Sequence, residues 1–146
     1  MSEEFMAQVS SDKSARFIPL EIAKRLPESA QTMLADEYLT DRAEASCRVF
    51  RAYRGVPAHF HRQCDEYLYV LSGRGTFWMG DPSDEQVFEP GHLLFFERNV
   101  VHSMPKLLEH PVVFLSIDCP RRAPDDITFI DPEAGNAEGF MARNAK

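Results

Sequence analysis

The sequence predicts a single all-β domain in which antiparallel strands form a sandwich or a barrel. Short runs of strand-forming residues recur at roughly 8–12-residue spacing from residue 47 onward, with Gly and Pro turns between them. Strands do not alternate with long helical patterns, so a parallel sheet with crossover helices is not expected. The chain has 146 residues, of which 44% are hydrophobic, and this suffices for one domain with one core.

The first forty residues contribute little to the strand pattern. Residues 1–14 are small and polar, and we expect them to be a flexible N-terminus. Pro19 and Pro27 bracket a stretch with apolar residues at helical spacing, which predicts a helix of at most two turns. Residues 33–40 fit either a strand or a helix, because so short a pattern does not separate the two. The fold therefore begins with a short helical or extended arm.

From residue 47 the chain is predicted to consist of strands and turns. Alternation of apolar with polar residues and short apolar runs favour strands over residues 47–53, 67–71, 76–79, 86–89, 93–96, 112–117 and 127–130. The single domain is expected to span residues 15–130.

Gly and Pro mark the turns between these strands. Residues 72–75 contain two glycines and predict a hairpin turn, and residues 80–84 predict a second turn. The Pro90-Gly91 pair fits the centre of a type II turn, where Gly supplies a positive φ. Four consecutive apolar residues over 93–96 then predict a buried strand. Residues 131–146 are expected to be a flexible tail, with a short return strand or an arm onto a partner as the alternatives.

The charge balance excludes some classes of partner. The chain has 16 basic and 23 acidic residues, a net charge of −7, and no basic run longer than Arg121-Arg122. Nucleic acids and anionic membranes attract clusters of Lys and Arg, so we expect neither as a partner. No apolar stretch approaches the roughly 18–20 residues of a membrane span, and no signal-peptide pattern is present. Three cysteines without paired spacing fit a reducing compartment, which predicts a cytoplasmic protein.

Three histidines and one glutamate have the chemistry and spacing of a metal site. His59 and His61 are separated by one residue, and alternate side chains of an extended chain leave the same face, so both imidazoles can converge on one point. Glu66 begins the next apolar strand, where a buried carboxylate is costly unless it is paired, hydrogen-bonded or bound to a cation. His102 lies on a later strand. Such a set suits Fe, Mn, Ni, Cu or Zn and leaves positions for water or substrate. The alternative is a metal-free barrel in which these side chains bond to one another.

These residues resemble the motifs of the cupin family. The first motif of the family, His-x-His, three or four residues, Glu, six residues and Gly, is similar to the stretch from His59 to Gly73. The second motif is similar to residues 90–102, with its turn glycine at Gly91 and its metal histidine at His102. The resemblance covers roughly residues 47–118. It implies a double-stranded β-helix, that is, a jelly-roll barrel, with one divalent metal ion in its interior and a homodimer as the assembly.

The resemblance leaves the reaction open, because one fold serves many functions. Cupins include dioxygenases, decarboxylases, isomerases and epimerases, and also sugar-binding, storage and regulatory proteins. Our first hypothesis is a metal-dependent enzyme acting on a small organic molecule, with Glu66 as fourth ligand and catalytic base. By analogy alone, a dioxygenase is the first guess, and isomerase, decarboxylase and lyase chemistry remain open. The second hypothesis is a non-catalytic ligand-binding or accessory module with a structural metal, and the third is a structural barrel with vestigial ligands.

Other chemistry-bearing residues are assigned to the surface or the core. His92 follows a turn glycine and is expected to face solvent. Cys64 is expected to be a loop thiol or a small core residue. Met104 shares strand parity with His102, which would make it an apolar wall of the site. Three arginines near the His pair are expected to be solvated, with a bidentate clamp on a substrate carboxylate as the alternative; they are Arg48, Arg51 and Arg54.

Overall fold

A computed structural model describes residues 12–143 of the protein. The flexible N-terminus expected over residues 1–14 therefore lies mostly outside the described residues. The described part contains two short helices, α1 (Pro19–Ala23) and α2 (Ala137–Phe140). It also contains ten strands: β1 (Leu34–Asp41), β2 (Ser46–Ala52), β3 (Val56–Phe60), β4 (Asp65–Met79), β5 (Gln86–Phe88), β6 (Leu93–Phe96), β7 (His102–Met104), β8 (Leu107–Cys119), β9 (Thr128–Phe129) and β10 (Met141–Arg143).

The strands form one curled sheet that closes into a half-barrel. Its order is β10-β1-β2-β8-β4-β7-β3-β9, and β5 and β6 pair with β4 beside this path. Every strand pair is antiparallel except β1 with β10. The all-β, double-stranded β-helix fold predicted from the sequence is therefore confirmed. The division into a domain over residues 15–130 and two flexible ends stays a prediction.

The ends of the described chain pack on the sheet. Helix α1 begins at Pro19, whose fixed φ suits the first turn of a helix, and it buries Ile22. Ile22 and Leu26 pack against apolar residues on the outside of β1, β2 and β8. Residues 131–146 were expected to be a flexible tail, a short return strand or an arm onto a partner. The structure contains a short strand in this segment, β10, which pairs with the start of β1. No helix within residues 12–143 has the length and apolar character needed to cross a membrane, and the cytoplasmic location stays a prediction.

The hairpin turn predicted over residues 72–75 is wrong. Strand β4 continues through these residues, and the register of its pairing with β8 is irregular just before them and within them. Gly73 has a φ of 84°, and a Cβ atom there would lie 2.5 Å from the Pro111 carbonyl oxygen. The glycine thus lets the backbone kink against β8 instead of reversing. As a result, the first half of β4 pairs with β6 and its second half with β5 and β7.

Residues 93–96 form a strand as predicted, but the prediction that the whole strand is buried is wrong. Strand β6 is present, but its side chains alternate between the interior and the outer surface. Leu94 and Phe96 are buried, whereas Leu93 is 61% exposed and Phe95 is 42% exposed. An edge strand of a half-barrel covers the core with one face only. The outward pair adjoins two exposed tyrosines of β4, and we call this patch the outer aromatic surface: Tyr67, Tyr69, Leu93 and Phe95.

The main core fills the inside of the half-barrel. It consists of inward-facing apolar side chains from most of the strands, including Phe50, Leu68, Phe96 and Phe114. Phe50 and Phe114 lie opposite each other on β2 and β8, with ring centroids 5.0 Å apart. Phe140 of α2 belongs to the same core. The polar residues predicted to bind metal lie at the side of this core, where β3, β4 and β7 meet.

Candidate metal centre

The fold brings all four predicted site residues into the interior. His59 lies on β3 and pairs directly across the ladder with His102, the first residue of β7. His61 follows the end of β3, and Glu66 is the second residue of β4. All four side chains are buried. Strand parity therefore placed the side chains correctly, because alternate residues of an extended strand share one face.

The three histidines form a compact group. Their candidate ligand nitrogens all lie within 4.8 Å of one another. The ring centroids are 4.3 Å apart for His59 and His102, and 5.2 Å apart for His59 and His61. Glu66 is not part of this mutual group, but its Oε1 atom lies 3.6 Å from His61 Nε2 and 3.7 Å from His102 Nε2. The three histidines could hold a metal ion, and Glu66 borders the same point.

Backbone carbonyls fix the orientation of each imidazole. Each Nδ1 atom faces a carbonyl oxygen, which only accepts, so each Nδ1 carries a proton and each ring, when it is neutral, keeps a lone pair on Nε2. The Nε2 atoms of His61 and His102 are buried and have no hydrogen-bond partner among the described residues. This arrangement, with the second nitrogen bonded to the protein, is typical of metal-binding histidines. The Nδ1 acceptors are the carbonyl oxygens of Pro57 for His59 (2.8 Å), Asp126 for His61 (2.7 Å) and Val100 for His102 (3.0 Å).

Asp126 holds the segment that follows β3. Its carboxylate accepts hydrogen bonds from the backbone N–H groups of Arg62 (2.7 Å) and Gln63 (2.9 Å). Its carbonyl oxygen meanwhile accepts from His61 Nδ1. One residue thus fixes both the backbone after His61 and the direction of the His61 ring. The sequence carried no local signal for this role, because 65 positions separate Asp126 from His61.

The electrostatics of the site favour an ionised Glu66 and shift the pKa values of His59 and His61 in opposite directions. Burial disfavours the carboxylate, but the attraction of the His102 and His61 rings outweighs burial and holds the pKa of Glu66 well below its usual range. Burial, reinforced by the neighbouring His102 and His61, holds the pKa of His59 well below that of a free imidazole. Burial also opposes the charged form of His61, but the nearby Glu66 carboxylate raises its pKa on balance.

Arg48 contradicts the expectation that it is solvated. It lies on the inner face of β2 and is only 1% exposed. Its Nη1 donates to Asp36 Oδ2 (3.0 Å), and its Nη2 lies 3.1 Å from Asp118 Oδ2 and 3.9 Å from Glu66 Oε2. Alternation along β2 allowed this placement, but the desolvation cost of the buried guanidinium is offset only by carboxylates on other strands. We call the five nearly buried charged residues the buried charge cluster: Asp36, Arg48, Glu66, Asp118 and Arg122.

A small cavity adjoins the histidines. Met104 is buried in its wall, which confirms the prediction from strand parity. Phe140 also lines the cavity, and its ring centroid is 5.8 Å from that of His59. No pattern in the sequence indicated Phe140, because it lies in the segment expected to be a flexible tail. The cavity is lined by His59, Glu66, His102 and the apolar side chains Leu34, Phe50, Val56, Leu68, Phe96, Met104 and Phe140.

The remaining candidates lie apart from the site or are inert. His92 is exposed, as expected for a histidine after a turn glycine. Cys64 is fully buried, and burial raises the pKa of its thiol, so it stays protonated near neutral pH. It is therefore a small core residue. Arg51 is partly buried and Arg54 is exposed, and both donate to backbone carbonyls between α1 and β1.

Comparison with known proteins agrees with the fold. A family model described as a cupin domain matches residues 52–118, which include all four site residues. A solved structure with a double-stranded β-helix domain superimposes on the chain. Residues 52–118 thus match a cupin domain, and the chain shares the double-stranded β-helix fold.

Three solved structures illustrate the similarity. An uncharacterized conserved protein with a double-stranded β-helix domain from Klebsiella pneumoniae has a TM-score of 0.65 and 16% identity, covering 80% of this chain and 92% of that one. KdgF from Halomonas sp. has a TM-score of 0.56 and 16% identity, covering 62% and 81%. A structure of the DMSP lyases RdDddP and RnDddQII has a TM-score of 0.50 and 24% identity, covering 60% and 44%. At these identities the similarity extends to the fold alone. No curated protein matches the chain at a significant level.

Proposed function

We propose that His59, His61 and His102, with Glu66 as the fourth ligand, hold one divalent transition-metal ion per chain. The observation that carries the proposal is the orientation of the imidazoles, each of which bonds to a carbonyl through Nδ1 and keeps Nε2 for a ligand. A buried acceptor without a partner costs about 1–3 kcal/mol. A cation at this point would satisfy the Nε2 atoms of His61 and His102 together.

The donor set fits a first-row metal ion. Three imidazoles and one carboxylate bind Fe, Mn, Ni, Cu or Zn and suit Mg or Ca poorly, because those ions prefer oxygen ligands alone. Glu66 would add the one negative ligand, since its Oε1 atom already faces His61 and His102. Which metal binds depends on the metal ions available in the cell as much as on these four ligands, so measurement must identify it.

We propose further that the site is an enzyme centre for a small organic molecule. When bound in such a site, a divalent metal supplies Lewis acidity, and Fe, Mn or Cu can also exchange electrons. The apolar wall that includes Leu68, Phe96 and Met104 would exclude water from the reacting groups. Dioxygenase chemistry is the first expectation from the family resemblance, with isomerase, decarboxylase and lyase chemistry as the other candidates.

The ligand role of Glu66 is better supported than the role of catalytic base. Both of its carboxylate oxygens have neighbours, with Oε1 facing the two imidazoles and Oε2 facing Arg48 at 3.9 Å. A base must present an oxygen to the substrate within hydrogen-bond reach. The Glu66→Gln variant separates the two roles, because undiminished turnover with metal still bound would exclude the base.

The first experiment is the metal content per chain, measured by mass spectrometry on untagged protein. Wild type should contain close to one equivalent of a first-row metal, and His61→Ala should lose it. His92→Ala is the matched control, because His92 is an exposed histidine outside the site. A redox-active metal would favour oxygen chemistry, and zinc would favour a Lewis-acid or structural role. Wild type without metal, even after reconstitution, overturns the proposal.

The second candidate is a non-catalytic module with a structural metal. One observation favours it: the Phe140 ring packs beside His59 and fills the space next to the histidines. A closed site of this kind offers no exchangeable position. Azide added to the metal-loaded protein distinguishes the two candidates, because only an enzyme centre should change its metal absorption spectrum. No response in wild type and in Phe140→Ala would favour the structural role.

We propose a second copy of the chain as the partner that covers the outer aromatic surface. Tyr67 and Phe95 lie side by side there, with ring centroids 4.8 Å apart, and exposed apolar patches often mark protein interfaces. A two-fold axis would bring the same patch of two copies together. Light scattering should give a dimer for wild type and a monomer for Leu93→Lys. Leu108→Lys is the control, because Leu108 is exposed elsewhere on the sheet. A monomeric wild type overturns this assignment.

A further inference from the structure

The two cations of the buried charge cluster differ in the number of close contacts that they make. Arg48 meets Asp36 at 3.0 Å and Asp118 at 3.1 Å and donates to Ser116 Oγ at 3.0 Å, although its Nε atom has no hydrogen-bond partner among the described residues. Arg122 is equally buried, with 2% of its surface exposed. Its Nε atom has no hydrogen-bond partner among the described residues and lies 3.8 Å from Asp118 Oδ2.

The remaining contacts of Arg122 are weak. Nη1 donates to the Ala123 carbonyl oxygen at 3.4 Å, close to the limit for a hydrogen bond. A guanidinium group has five N–H donors, and burying them without acceptors is costly. Arg122 therefore has donor capacity that residues 12–143 do not use.

Phe140 connects Arg122 with the cavity beside the histidines. The Phe140 ring centroid lies 5.8 Å from the guanidinium carbon of Arg122 and 5.8 Å from the His59 ring centroid. A small molecule that replaced the Phe140 ring would thus lie near both the Arg122 guanidinium group and the His59 imidazole. Phe140 belongs to α2, a helix of four residues that is joined to the sheet through the three pairs of β10 with β1.

The charges of the interior favour a ligand with a single negative charge. The buried charge cluster contains three carboxylates and two guanidinium groups, which gives a formal charge of −1 when all five groups are ionised. A divalent cation in the proposed metal site would change this to +1. A carboxylate carries the one charge that restores neutrality, whereas a phosphate group carries about −1.5 to −2 at neutral pH. Planar carboxylates also match the fork of a guanidinium group.

We propose that Arg122 binds the carboxylate of a small organic acid, which takes the place of the Phe140 ring and lies next to the histidine site. This inference rests on the metal site of the proposed function and adds the substrate class, a monocarboxylic acid. Arg122 acts as a binding residue, and the Phe140 ring occupies the same space in this structure. Arg122 thus takes the carboxylate-binding role that the sequence analysis gave as the alternative for Arg48, Arg51 and Arg54.

The test measures binding of glycolate and of glycolamide to full-length, metal-loaded protein by calorimetry. Glycolamide has the same shape and hydroxyl group but no charge. Wild type should bind glycolate at least tenfold more tightly than glycolamide, and Arg122→Met should lose most of this preference. Arg62→Met is the matched control, because Arg62 is an exposed arginine next to His61 and should leave the preference unchanged. Phe140→Ala, which keeps every charge, should bind glycolate several-fold more tightly than wild type.

Metal content measured on the same samples separates the two levels of the proposal. Wild type without metal overturns the metal site and this inference with it. Metal-loaded Arg122→Met that still prefers glycolate as wild type does overturns the role of Arg122 alone. If neither wild type nor Phe140→Ala binds glycolate, or if only inorganic phosphate binds in a manner that depends on Arg122, the carboxylate assignment is wrong.

Discussion

The two carboxylate oxygens of Glu66 face surroundings of opposite character. Oε1 faces the Nε2 atoms of His61 and His102 at 3.6 and 3.7 Å, where buried acceptors have no donor. Oε2 faces Arg48 at 3.9 Å, where a cation is already matched by Asp36 and Asp118. We call the surroundings of Oε2, with Arg48, Asp36 and Asp118, the guanidinium side, and the surroundings of Oε1, with His61 and His102, the imidazole side. The comparison indicates that the guanidinium side stabilises the fold, whereas the imidazole side has acceptors available for a ligand.

The largest effect on stability is expected from Arg48→Met. Removal of this guanidinium leaves Asp36 and Asp118 buried without their shared cation, and breaking a buried ion pair in this way costs about 3–5 kcal/mol. Urea unfolding of the metal-free protein, followed by circular dichroism, measures the loss. Arg74→Met is the control, because its ion pair with Glu109 is exposed and should contribute at most about 1 kcal/mol. Equal losses in both variants would contradict a structural role for the guanidinium side.

Removal of the metal is expected to have the next largest effect, on the imidazole side alone. A ligand at a hundred times its Kd stabilises the folded state by about 2.7 kcal/mol. A chelator should therefore lower the Tm of metal-loaded wild type, measured by scanning fluorimetry. His102→Ala should melt at the same temperature with and without chelator. A variant that still responds would mean that the metal binds elsewhere.

Glu66→Gln separates the contributions of the two sides. The amide keeps the shape of the side chain but loses its charge, so we expect at least the roughly 10–100-fold loss of metal affinity that follows removal of a ligand's partner. The metal-free variant should lose about 1–3 kcal/mol, less than Arg48→Met, because one neutral group replaces one charge. Competition with a chromophoric chelator gives the affinity. If the metal affinity equals that of wild type, Glu66 contributes to the ion pairs with Arg48 and does not bind the metal.

Asp126→Ala is expected to have the smallest effect. Its carbonyl oxygen still accepts from His61 Nδ1, but the carboxylate that held the backbone at Arg62 and Gln63 is lost. A less rigid His61 should lower metal affinity by about tenfold, at the small end of such effects. Asp125→Ala is the matched control, because Asp125 is an exposed neighbour. Identical affinities for the two variants would show that the loop holds His61 without the carboxylate.

Residues 66–79 show where inference from the sequence succeeded and where it failed. Alternation placed Glu66 and Leu68 on the inner face, because side chains of a strand alternate whatever the strand pairs with. The same stretch was wrongly given a hairpin turn, because a Gly-x-Gly pattern fits a reversal and a bulge equally well. The partner strand decides between them, and β8 runs alongside β4 through the whole irregular stretch.

The sequence by itself determined the class of fold and the alternation of the strands, and the alternation turned His59, His61 and Glu66 toward the interior. Side-chain direction follows from spacing within a strand. Only the tertiary structure decided that Arg48 and Arg122 are buried, and that Phe140 lies beside the histidines. A buried charge depends on partners from distant strands, such as Asp36 on β1 and Asp118 on β8, and no local pattern encodes such a meeting.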